Sequence, residues 1–210
     1  MHEYVTELIL ENAEATIDAK LHLLRDEYRK NGIPTLLTES LNELILFATI
    51  KQPKKILELG TSVGCSGIAL LQSAKNAELF TVEKSAEVAK TASENFAAFG
   101  LSDRVKQYVG DAVEVINEVG YDFDFVFLDC NKSKYNKLYP EIKKRMVKGG
   151  ILFADNVLFR GYITGEIKVP HRQNTIKNNM RDFLRLISSD TDMITTISDI
   201  GDGISVSYKR

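Results

Sequence analysis

From Lys55 onward, short apolar runs alternate with stretches in which apolar residues recur every three or four positions. The short runs are KILELG (55–60), ELFTVE (78–83), RVKQYVG (104–110), FDFVFLD (123–129) and GILFAD (150–155). Helical spacing falls near 64–75, 85–99, 111–118 and 134–147, so strand and helix take turns. That alternation predicts βαβ units and a mostly parallel sheet. The runs at 123–129 and 150–155 are almost continuously apolar, as strands covered on both faces require.

The two ends of the chain depart from this rhythm. Residues 3–31 and 38–51 carry helix-like spacing, with Gly32 and Pro34 breaking it between them. Near the other end, a helix over about 172–189 is followed by MITTISDI and GISVSYKR, separated by Gly201, Asp202 and Gly203. Those glycines suit a tight turn, so the pattern predicts an antiparallel hairpin at one edge of the sheet. The expected fold is α/β: a doubly wound, Rossmann-like, mostly parallel seven-stranded sheet with helices on both faces. A single domain is expected over 1–210, with a helical extension at 1–51 and the core at 52–210.

Composition narrows the class of protein without naming it. Hydrophobic residues make up 44% of 210 and charged residues 27%, the balance of a globular chain. No secretory leader, transit peptide or apolar membrane-length run is present, so the cytoplasm is the expected compartment. Cys65 and Cys130 have no metal-binding spacing and read as packing residues. A net charge of −2 argues against a generally basic nucleic-acid binder. It leaves room for a local basic face running from Lys168 through His171, Arg172, Lys177, Arg181 and Arg185, for which a solvated helix face is the plainer explanation.

The candidate chemistry sits where strands end. The first strand runs into LELGTSVGCSG, whose Gly60, Gly64 and Gly67 miss the dinucleotide spacing G-x-G-x-x-G but still allow backbone to approach a ligand. The second strand ends in Glu83, an acid able to accept hydrogen bonds from ribose hydroxyls. Asp111 follows the third strand and suits a helix N-cap; with the Ala112 backbone it could also wall an adenine pocket. The fourth strand ends in Asp129 and the fifth in Asp155 and Asn156. In an open parallel sheet ligands bind beyond these carboxyl ends, near the switch in strand order. Asp and Asn alone would make a turn, but two carboxylates and an amide oxygen together suit a hard divalent cation.

These segments resemble the cation-dependent O-methyltransferases, the family of the caffeoyl-CoA and catechol enzymes. The likeness covers roughly residues 35–210 and rests on ILELGTSVGCSGIAL, TVEK, GDA, LDCNKSKY, GGILFADNVLFRG and GDGISVSYKR. It implies that Asp129, Asp155 and Asn156 bind the metal, Mg²⁺ foremost with Mn²⁺ or Ca²⁺ as alternatives. It implies S-adenosylmethionine contacts at Leu36, Glu58, Gly60, Ser66, Glu83, Asp111, Ala112 and Asp129. Lys132 matches the general base of the catechol enzymes, with Asp129 beside cofactor and metal. Asn131 stands where much of the family has a second acid, an acid that the catechol enzymes also lack.

Within that family the chain most resembles the bacterial tRNA 5-hydroxyuridine methyltransferases, through QPKKILELGT, DNVLFRG, the basic segment near 168–185 and the closing GDG…KR. The resemblance implies tRNA as substrate, met by that basic segment, and 5-methoxyuridine as product. A small catechol or other vicinal diol is the alternative acceptor. No membrane partner is expected. A homodimer is expected through the amphipathic 3–31 extension, with packing on its own domain as the other use of that face.

Overall fold

The computed structural model describes residues 4, 7, 8, 11, 12, 17–165 and 167–210. Seven strands form one sheet: β1 (Lys55–Leu59), β2 (Glu78–Glu83), β3 (Val105–Val109), β4 (Phe123–Leu128), β5 (Met146–Asp155), β6 (Met193–Ser198) and β7 (Ile204–Lys209). Their order is β3-β2-β1-β4-β5-β7-β6. The first five are parallel, and β7 lies antiparallel to both β5 and β6. The doubly wound sheet with its antiparallel end is therefore as the hydrophobic pattern predicts. Chain order reverses between β1 and β4, which puts the switch point above Leu59 and Leu128.

Helices cover both faces because neighbouring strand residues point to opposite sides. Ile56, Leu79, Phe127 and Phe153 pack with α1 (Ala19–Lys30), α2 (Thr38–Lys51), α3 (Cys65–Ser73) and α4 (Ala86–Ala98). Leu57, Val82, Leu128 and Leu152 pack with α5 (Ala112–Val115), α6 (Tyr135–Arg145) and α7 (Asn174–Ser189). Phe123 joins the second core although Phe125 joins the first, because the β4–β5 register shifts between them. Among the described residues no helix is long and apolar enough to cross a membrane.

Several boundaries move for local reasons. The helical pattern at 3–31 falls partly outside the described residues. Within them a fresh helix starts at Asp18, whose carboxylate accepts from Lys20 N and Leu21 N. The helix expected over 111–118 is a single turn at Ala112–Val115. The helix expected to reach 147 stops at Arg145, and β5 begins at once at Met146 rather than at 150. Apolar spacing cannot mark a helix that hands straight over to a strand.

Candidate active site

Two cavities open over the carboxyl ends of the parallel strands, one of about 290 Å³ over β1, β2, β3 and β4 and one of about 580 Å³ over β1, β4 and β5, and Gly60, Ser62 and Asp129 line both. The strand ends meet closely here. Gly60 has φ +111°, and a Cβ on it would stand 2.2 Å from the Asp129 carbonyl oxygen. Glycine is required for that contact.

The smaller cavity is walled by Gly60, Glu83, Gly110, Asp111, Ala112 and Asp129, together with Ser62, Lys84 and Lys134. Glu83 accepts from Ser62 N at 2.9 Å and from Ser85 N at 3.0 Å, tying the β1 loop to the β2 loop. Asp111 caps α5 by accepting from Val113 N at 3.0 Å, and Lys84 and Lys134 lie 3.7 and 3.8 Å from its other oxygen. Asp111 is at once the helix cap and part of the cavity wall.

The larger cavity gathers Leu36, Ser66, Asp129, Lys132, Asp155 and Asn156. Lys132 Nζ donates to Asp129 Oδ1 at 2.7 Å, with the lysine 19% and the aspartate 26% exposed. Asp155 is only 2% exposed and its Oδ1 has no hydrogen-bond partner. Burial, and then the charge of Asp129, pushes its carboxyl up to about 7. Among the described residues no three His, Cys, Asp or Glu side chains gather as a metal cluster; the candidate set is two carboxylates and an amide. An orphaned buried carboxylate oxygen beside a second carboxylate fits a cation, which would supply the missing partner.

Glu58, expected at the cofactor, lines neither cavity. It is fully buried, with Oε1 accepting from Ser66 Oγ and Oε2 from Thr81 Oγ1, each at 2.6 Å. Its place is beneath the loop, holding the first turn of α3 to β2. Burial pushes its carboxyl up to about 7. Burial also raises the Cys65 thiol to about 11 and the Cys130 thiol to about 12, so neither is a ready nucleophile.

Two residues that shape this edge of the sheet escaped the pattern. The Tyr135 hydroxyl, fully buried, lies 2.9 Å from the Leu128 carbonyl and 3.1 Å from the Asp155 carbonyl, bridging the ends of β4 and β5. Asp202, read only as part of a hairpin turn, lines the larger cavity. Asn156, Phe159 and Arg160 all have left-handed φ, of 54°, 46° and 57°, a conformation that persists only when neighbours enforce it. The Gly201–Gly203 turn does so. Val157 N donates to Gly203 O at 2.9 Å, Leu158 N to Asp202 O at 3.0 Å, and Arg160 N to the Asp202 carboxylate. An acid between two glycines was the signal available in the sequence.

The basic segment is divided by the structure. Lys168, His171, Arg172 and Arg185 are exposed, and Arg185 lies 3.5 Å from Asp182. Arg181 instead donates Nε and Nη2 to the Ile163 carbonyl at 3.1 and 2.8 Å, pinning the segment after Asn156 to α7.

Known proteins share this arrangement of sequence and fold. A family model described as O-methyltransferase matches residues 14–210. A catechol O-methyltransferase of Niastella koreensis is 32% identical over 159 residues, 73% of this chain and 70% of that one. A caffeoyl-CoA O-methyltransferase of Populus kitakamiensis is 25% identical over 171 residues, 78% of this chain and 73% of that one. The crystal structure of an SAH-bound methyltransferase of Podospora anserina superposes with a TM-score of 0.85 at 22% identity, covering 100% of this chain and 97% of the other. The chain belongs to the O-methyltransferase family.

Proposed function

We propose that this methyltransferase acts with a divalent cation held by Asp129, Asp155 and Asn156, and that its acceptor is the hydroxyl of 5-hydroxyuridine in tRNA. The observation that carries the metal is the buried, unpartnered Asp155 Oδ1 at the strand end next to Asp129. When bound, the cation supplies a Lewis acid that lowers the pKa of a hydroxyl. S-adenosylmethionine supplies an electrophilic methyl group on a sulfonium.

The protein's own residues do the rest. Glu83 is set to receive ribose hydroxyls at the β2 end of the smaller cavity. Asp129 lines both cavities, where it would stand between cofactor and acceptor. Lys132 would take the acceptor proton at Nζ, leaving the acceptor oxygen free for the methyl group that bound S-adenosylmethionine would supply. Holding the two reactants in line is worth much of the acceleration.

Support for tRNA comes from position: exposed Lys168, His171 and Arg172 follow the Asn156 turn, where they could meet phosphates. Support for a small phenolic acceptor comes from the catechol enzyme at 32% identity. Methyl transfer to hydroxyuridine-containing tRNA and to a catechol, each with Mg²⁺ and after EDTA, separates the readings. Transfer to tRNA that needs the cation supports the proposal, and transfer to catechol alone contradicts the tRNA acceptor.

A further inference from the structure

Arg25 of α1 is fully buried. Its Nη2 donates to the Leu36 carbonyl at 2.9 Å and lies 3.5 Å from Thr38 Oγ1, while Nε and Nη1 are buried without a partner. One turn later, Arg29 donates Nη2 to the same carbonyl at 2.8 Å and Nε to Thr35 Oγ1 at 2.8 Å. Two guanidinium groups thus converge on one peptide. Among the described residues neither makes an ion pair. Burial and then Arg29 lower the Arg25 pKa to about 10. Arg29 is half-buried, and Asp26 and Glu39 offset the effect on Arg25 less than burial and Arg29 impose it; a buried charge beside a like charge is unfavourable unless an anion compensates it.

The peptide they grip belongs to the larger cavity. Thr35, Leu36 and Leu37 form one wall, next to Cys65 and Ser66 in the first turn of α3. That turn adds the partial positive charge of a helix N-terminus. The Leu36–Leu37 amide N–H points away from its carbonyl, as in any trans peptide, and donation by two cations to the carbonyl makes that N–H a stronger donor. Asp129, Asp155 and Asp202 line the same cavity, so it has a positive wall and carboxylates to repel an anion from elsewhere. In the smaller cavity Lys84 and Lys134 lie against Asp111, and Glu83 and Asp129 leave its wall net acidic.

S-adenosylmethionine has one anionic group, the carboxylate of its methionine arm. We propose that Arg25 and Arg29 supply the charge that selects this carboxylate, drawing it to the Leu36–Ser66 wall and leaving adenosine toward Glu83. They are positioning residues, acting through the Leu36–Leu37 peptide and at short range through space. This rests on the methyl-transfer reading of the site.

Calorimetry with S-adenosylmethionine and with its decarboxylated form tests it, on wild type, Arg25→Gln, Arg29→Gln and Arg29→Lys, with thermal melts to check folding. Wild type should prefer the intact form by roughly tenfold or more. Each glutamine variant should lose most of that preference while binding the decarboxylated form within about twofold of wild type. Arg29→Lys, which keeps the charge, should retain most of it. Equal weakening of both ligands in Arg29→Gln would mean that the arginines only brace the loop, and overturns the proposal. Absence of preference in wild type overturns it with no variant at all, so a failure of Arg25→Gln to fold leaves the test intact. Wild type that binds neither form contradicts instead the methyl-transfer reading beneath it.

Discussion

Lys132 Nζ lies 2.7 Å from Asp129 Oδ1, so the candidate base is held on a candidate metal ligand. The 3-10 turn at Lys132–Lys134, capped by Asn131 Oδ1 accepting from Ser133 N at 3.0 Å, brings the lysine back over the end of β4. Asn131 therefore has a structural use where much of the family has an acid. Replacing Asp129 would disturb base and ligand together, so Lys132 gives the cleaner experiment. Lys132→Met should lower kcat by about 10²–10⁴ and leave S-adenosylmethionine affinity within about threefold. Turnover and calorimetry check this; undiminished kcat would assign proton removal to another group.

Glu83 joins two loops and faces the smaller cavity. Glu83→Ala should remove a charged acceptor worth about 1.5–3 kcal/mol to the cofactor, weakening binding roughly 10- to 150-fold. Calorimetry of S-adenosylmethionine would show this, and unchanged affinity would take Glu83 out of the cofactor site.

Glu58 links stability to pH. Its carboxyl is raised from an ordinary 4.5 to about 7, first by burial, against the opposing bonds from Ser66 and Thr81. The folded state then holds a proton that the unfolded state releases. Its contribution to stability is full below about 4.5 and fades as pH rises through about 7, at up to about 1.4 kcal/mol per pH unit. Glu58→Gln should flatten this part of the melting-temperature profile between about pH 5 and about pH 8. Parallel profiles for wild type and variant would show that Glu58 does not carry the proton.

The basic segment makes a prediction about salt. Arg172→Ala with Lys177→Ala should weaken tRNA binding and reduce the slope of log affinity against log salt by roughly one unit per lost phosphate contact. Methylation of a catechol should hardly change. Arg181→Ala should behave differently, lowering both activities, because Arg181 holds the Ile163 carbonyl beside the Asn156 turn. Equal losses for both acceptors in the Arg172/Lys177 variant would make that surface structural.

The sheet was legible because its strands announce themselves locally. FDFVFLD and GILFAD are apolar on both faces, and each ends in the acid that reaches the cavity. Gly60 was legible as a close approach, although what it approaches, the Asp129 carbonyl, is set by strand order. Tyr135 and Asp202 were not legible as site residues, since one acts by bridging two strand ends and the other by holding a left-handed turn about forty residues away in the chain. The bonds of Glu58 were not legible for the same reason: its partners, Ser66 and Thr81, come from the next helix and the next strand. Arg25 and Arg29 carry no motif, and only the fold brings them onto one carbonyl.

The central claim is cation-dependent methyl transfer to a tRNA hydroxyl at the Asp129, Asp155 and Asn156 edge. The most direct measurement follows labelled methyl from S-adenosylmethionine into purified tRNA bearing 5-hydroxyuridine, with Mg²⁺ or Mn²⁺ and after EDTA treatment, for wild type and Asp155→Ala. Label should appear as 5-methoxyuridine with wild type and cation, vanish with EDTA, return when metal is restored, and be absent with Asp155→Ala. Full transfer in metal-free buffer, or no transfer to this tRNA by an enzyme that methylates catechol well, would contradict the account.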